Sequence, residues 1–103
     1  MKVVTVAGVR MSFSVFLRLI DAVQRRTREW VESADVRFLG RLNEKMIETH
    51  VRLELERALS LRRGREVHVT DKVWKCWRKI FAPAWFVRSL LDIASFRARI
   101  EQE

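Results

Sequence analysis

Residues 35–63 read DVRFLGRLNEKMIETHVRLELERALSLRR, and the fold turns on whether they form one helix. The run contains no proline, and Gly40 is its only glycine. Ser33-Ala34-Asp35 offers an N-cap ahead of it, and Gly64 follows in the place where a left-handed residue stops a helix. Read as one element it is a helix of about 28 residues, roughly 42 Å long. Leu39, Leu42, Met46 and Leu53 line one side, and Ile47, Val51, Leu55 and Ala58 a neighbouring side. An apolar face this wide needs more than one neighbour, which makes this the central helix.

Three further helices are expected around it. The first runs from about Ser12 to Trp30, with Phe16, Leu19, Ile20, Val23 and Trp30 on one stripe. Ser12 or Ser14 serves as its cap. The third starts at Thr70 or Asp71 and carries Val73, Trp74, Trp77, Ile80 and Phe81. Pro83 suits the first turn of a fourth, which runs to about Arg99 and is apolar on two sides. Met1–Val9 is β-branched and reads as a short strand or extended arm, and Arg65–Val69 alternates like a connecting strand. The expected architecture is all-α: short, long and short helices plus an extra C-terminal helix. It forms a single domain over 1–103, with an arm (1–11), a core (12–81) and a C-terminal helix (83–101).

Charge is unevenly distributed. The chain has 103 residues and a formal net charge of +8. Residues 57–79 hold eight bases against Glu66 and Asp71, six of those eight surplus charges. Residues 10–28 hold five Arg against Asp21, whereas residues 29–56 hold four bases against seven acids. Basic ends flanking an acidic middle suit a polyanion held at the ends, where fixed positive charge displaces counterions from phosphates. The candidate nucleic-acid contacts are Arg62, Arg63 and Arg65, then Arg25, Arg26 and Arg28, then Lys72. Each also reads as a solvated helix end or face.

The order of elements and two short motifs resemble the histone fold of small prokaryotic histone-like proteins. Ser33-Ala34-Asp35 with Leu42-Asn43-Glu44-Lys45 is similar to the start of the family's central helix. Ala58 with Arg62-Arg63-Gly64-Arg65, Val67, Val69 and Thr70-Asp71 is similar to its second loop and the entry to the last helix. The resemblance implies two chains clasped head to tail across their central helices. Arg25, Arg26 and Arg28 of one would then approach Arg62, Arg63 and Arg65 of the other. It further implies a loop arginine paired with an aspartate, Asp71 being the only candidate for Arg65. The family's Gly-Arg-Lys-Thr-Val reads Gly64-Arg65-Glu66-Val67-His68 here, which departs from the pattern.

The expected function is sequence-independent, architectural binding of double-stranded DNA by a homodimer or higher oligomer, through phosphates and the minor groove. The alternative is a helical protein–protein interaction module, a subunit or an inhibitor of a larger complex. An enzyme is not expected: there is no P-loop, glycine fingerprint or carboxylate pair, and His50 and His68 stand at no recognisable spacing from Cys76. One Cys and two scattered His make no metal set, and no cofactor is expected. The uncharged runs fall short of the ~20 residues of a membrane span, so a soluble, intracellular protein of the cytoplasm, nucleoid or nucleus is anticipated. Trp30, Trp74 and Trp77 belong to core stripes, and Trp85 is the tryptophan expected to meet a partner.

Overall fold

Ala7 and Gly8 both take positive φ, 50° and 80°. Two consecutive left-handed residues make the tight turn that matches the twist of paired strands. Residues Val3–Val6 (β1) and Val9–Ser12 (β2) therefore fold back on each other, antiparallel, with Val4 opposite Met11, Thr5 opposite Arg10 and Val6 opposite Val9. The period of two buries Val6, Val9 and Met11 on one face and turns Arg10 outward on the other. This hairpin corrects the all-α expectation. The computed structural model describes residues 2–101.

The Ser12 hydroxyl then accepts the Val15 N–H at 3.2 Å and starts α1, Phe13–Ser33. Its buried stripe is Phe16, Val23, Thr27 and Val31. Thr27, wholly buried, donates its hydroxyl to the Val23 carbonyl at 2.9 Å, so its polar atom is satisfied inside the helix.

The expected long central helix is broken in two. Asp35 caps a single turn, α2 (Val36–Leu39), by accepting the Arg37 N–H at 2.8 Å. Leu42 and Arg41 then bond back only three residues, and Asn43 is extended at φ −135°. The Asn43 side chain accepts the Met46 N–H at 2.9 Å and opens α3, Glu44–Arg63. A short amide that satisfies a new helix start competes with continuation of the old one, and Gly40 just before it weakens continuation further. Short-long-short therefore gives way to five helices among the described residues. Gly64 does end α3 as expected, left-handed at φ 78°, its N–H bonded to the Ser60 carbonyl at 2.9 Å.

One stripe of α3 holds the core together. Ile47, Val51, Leu55 and Leu59 recur every fourth residue and are each fully buried. Their cover comes from the same chain: Val15 and Leu19 of α1 meet Ala58 and Leu59, while Trp30 stacks flat on His50 at 3.9 Å. The start of α1 thus faces the end of α3, so the two run antiparallel. That stripe is thus covered within the chain, while Leu53 on the neighbouring side stays exposed.

The segment after Gly64 is extended but pairs with no strand. Three α3 side chains, one per turn, hold it instead. Ser60 accepts the Val67 N–H at 2.8 Å, Glu56 accepts the Val69 N–H at 2.7 Å, and Arg52 donates to the Val69 carbonyl at 2.6 and 2.9 Å. Val67 and Val69 point into the core between them. Thr70 caps α4 (Asp71–Phe81), whose Trp77 and Phe81 meet Phe16 edge-on at 5.4 and 6.0 Å. Ala82 leaves the helical region, and α5 (Ala84–Glu101) buries Phe86, Val87, Leu90 and Ala94. The Arg97 guanidinium ties α5 to the end of α1 through the Val31 and Ala34 carbonyls, at 3.1 and 2.8 Å.

These elements form a body 52 × 24 × 22 Å, with the hairpin at one end and α2 and the end of α5 toward the other. Its radius of gyration is 14.9 Å. A compact chain of this size has about 13 Å, so the body is elongated.

Candidate nucleic-acid interface

Where α1 begins and α3 ends, the antiparallel pairing brings arginines from three elements together. Gly8, Val9 and Arg10 of the hairpin, with Arg62 and Arg63 of α3, line a shallow groove of about 540 Å³. Arg62 also borders the adjoining groove of about 300 Å³, which Arg18 of α1 closes along with Met11, Val15, Leu19, Ala58 and Leu59. Four arginines thus share one surface, and among the described residues no carboxylate lines either groove.

All four are exposed, and among the described residues none has a carboxylate within salt-bridge distance. What sets the four apart is their convergence on one surface, since other bases, Arg88 among them, are also without an ion-pair partner among the described residues. Arg37, Arg52, Arg57, Arg78 and Arg97 are each paired with a carboxylate of the same chain. Arg63 reaches the hairpin turn: its Nη1 lies at ordinary contact distance, 3.4 Å, from where a Cβ on Gly8 would stand. Arg62 continues the inward stripe of α3 past the last core residue, so its guanidinium extends over β2 and α1 instead of into solvent alone.

The expected contacts divide accordingly. Arg62 and Arg63 stand in the grooves. Arg65 is exposed beyond Gly64 on the other flank, in a shallow groove that also holds Arg57, Glu56 and Glu66. Asp71 does not pair with Arg65; it accepts from Arg52 at 2.8 Å. Arg25, Arg26 and Arg28 do not form one patch. At 100° per residue, Arg26 and Arg28 lie about 160° apart around α1. Only Arg25, two turns after Arg18, continues the line of the grooves. Lys72 is exposed on the first turn of α4, outside them.

Arg10 and Arg18 were not singled out in the sequence, although both fall in its basic segment 10–28. Their selection required knowing that α1 meets α3 by its start and not by its end. The only sequence signal was the pairing of apolar stripes, which fixes contact but not direction.

A second cluster lies half-way along the body. Glu54 is buried, accepts from Arg57 at 2.8 Å and stands 3.6 Å from His50. Burial pushes the His50 imidazole below its ordinary value, with Glu54 opposing and Arg57 adding. Burial raises the Glu48 carboxyl, against the pull of Arg78. Among the described residues no group of His, Cys, Asp and Glu is arranged to hold a metal ion, and no helix is long and apolar enough to cross a membrane. No family model, curated protein or solved structure matches the chain.

Proposed function

We propose that this chain binds double-stranded DNA through its backbone, without regard to base sequence, using Arg10, Arg18, Arg62 and Arg63. One observation supports this above the rest: four unpaired guanidinium groups from three elements line adjoining grooves that contain no acid. Such a surface lacks any internal counter-charge, and a phosphate chain supplies it while releasing its own counterions. Arginine's planar fork suits two phosphate oxygens at once.

Duplex is favoured over single strand because no exposed aromatic ring stands beside the arginines. Phe13 is exposed, but it lies about 140° around α1 from Arg18. Bases of a single strand need such a platform to stack on. Arginine reads guanine edges as well as phosphates, so equal affinity across unrelated duplexes is the outcome that carries the sequence-independent part of the proposal.

The test is an anisotropy titration with several unrelated duplexes and a single strand. Equal affinity for all duplexes and a steep loss with salt support the reading. No binding at low salt overturns it. The alternative, a protein–protein interaction module, draws support from the exposed apolar face of α5, and co-purification of a stoichiometric foreign protein without DNA affinity would favour it.

A further inference from the structure

Three of the four most exposed large hydrophobic side chains lie on α5: Trp85 at 65%, Phe96 at 57% and Ile100 at 52%. Trp85 and Phe96 are eleven residues apart, three turns and about 20°, so they stand on one line roughly 16 Å long. Ser89 and Asp92 lie between them on the same face, with Arg88 at its edge. Arg88 and Asp92 are both exposed, and neither has an ion-pair partner among the described residues.

This face complements itself. Lay a second α5 across it antiparallel, with the two-fold axis at the level of residues 90 and 91. Trp85 then opposes Phe96 of the other copy, and Ser89 opposes Asp92. Arg88 falls about one residue's rise, 1.5 Å, from the level of Asp92. Each contact occurs twice, as a two-fold interface demands. The aromatic pair supplies buried area and the Arg–Asp pair supplies matching charge, while the small Ser89 lets the helix backbones approach. Ile100 reaches the level of the α4–α5 corner, where Ile80 is also exposed.

We propose that the chain dimerises through α5 in this antiparallel register, its partner being a second copy of itself. The α5 helix runs alongside α1 in the same direction, since Gln24 donates to the Phe81 carbonyl just ahead of α5 and Arg97 reaches Val31. Antiparallel pairing therefore sends the two hairpin ends, with their arginine grooves, to opposite ends of the dimer. Such a dimer bridges two DNA segments instead of gripping one. That consequence rests on the function proposed above; the pairing does not, and the two are measured separately.

Sedimentation of the full chain up to about 500 µM, well above a micromolar affinity, reads the pairing without DNA. The expected result is a rise from the chain mass of 12.3 kDa to twice that value. Replacing Trp85 and Phe96 by Ala weakens association by about tenfold or more, with circular dichroism unchanged because both side chains are exposed. Arg88→Asp and Asp92→Arg each weaken self-association. An equimolar mixture of R88D and D92R restores it, because both Arg–Asp contacts are then re-formed between unlike chains. A wild-type monomer throughout, a dimer indifferent to W85A/F96A, or a mixture no tighter than its components overturns the proposal. DNA affinity per chain at low occupancy is expected to survive all these variants, so loss of DNA binding and loss of pairing remain distinguishable.

Discussion

Replacing Arg62 and Arg63 by Ala is expected to change the salt dependence of DNA binding by a calculable amount. Each phosphate neutralised contributes about 0.9 to the slope of log affinity against log salt. With four arginines in the grooves, each chain should show a slope of about −3.6. Raising salt from about 50 to 200 mM then weakens binding roughly 150-fold. Losing Arg62 and Arg63 halves the slope to about −1.8, and the same salt step costs only about 12-fold. Fluorescence anisotropy on a labelled duplex, at four salt concentrations, reads this directly. Both side chains are exposed and carry no hydrogen bond, so stability should hold within about 0.5 kcal/mol. The control is the double change of Arg26 and Arg28, which line neither groove and lie about 80° to either side of the Arg18 line, roughly 12–15 Å further along α1, and should barely alter the slope. A slope unchanged in the Arg62/Arg63 variant, or lowered equally by the control, refutes the assignment.

Other consequences follow from the framework that holds the grooves in place. Gly64→Ala forces a Cβ into a left-handed residue where no atom lies within 4 Å, so the cost is backbone strain alone, about 1–2 kcal/mol. Thermal denaturation should register it as a fall of several degrees. Arg52→Ala removes the anchor of the Val69 carbonyl and the Asp71 carboxylate, a loss of about 1.5–3 kcal/mol. Hydrogen exchange should rise first in residues 65–70, and unchanged protection there would contradict the anchoring. The pH dependence has a definite sign. A histidine that burial keeps neutral takes up its proton more readily in the unfolded chain, so stability is full above the ordinary value of 6.5 and declines as pH falls below it. His50→Gln should flatten that decline in urea titrations. Glu48 behaves oppositely, its raised value meaning a cost once the carboxyl ionises, so Glu48→Gln should stabilise the protein at neutral pH.

Local chemistry made much of the framework legible. Ser12, Asp35 and Thr70 cap helices as their side chains allow, Gly64 terminates one, and the i, i+4 stripe of α3 enters the core. Two features escaped. Asn43 looked like an interior residue of a long apolar run, because periodicity continues across a break when both pieces face the same core. The hairpin turn at Ala7-Gly8 lacks the Asn or Asp that usually marks one, so Met1–Val9 read as one short strand or extended arm. The candidate site was half visible. Arg62 and Arg63 stand out by local density, whereas Arg10 and Arg18 join them only through the antiparallel contact of α1 with α3. Density also grouped Arg25, Arg26 and Arg28, of which Arg26 diverges from Arg28 by about 160° around the helix. Trp85, the tryptophan expected to meet a partner, is exposed.

The most direct test of the arginine grooves is an NMR titration that follows arginine side-chain Nε–H resonances as duplex DNA is added. Arg10, Arg18, Arg62 and Arg63 are expected to shift together and saturate at one stoichiometry, while Arg37, Arg97 and Arg99, toward the other end of a 52 Å body, stay in place. Shifts concentrated on Arg37, Arg97 and Arg99, or spread evenly over every arginine, would contradict it.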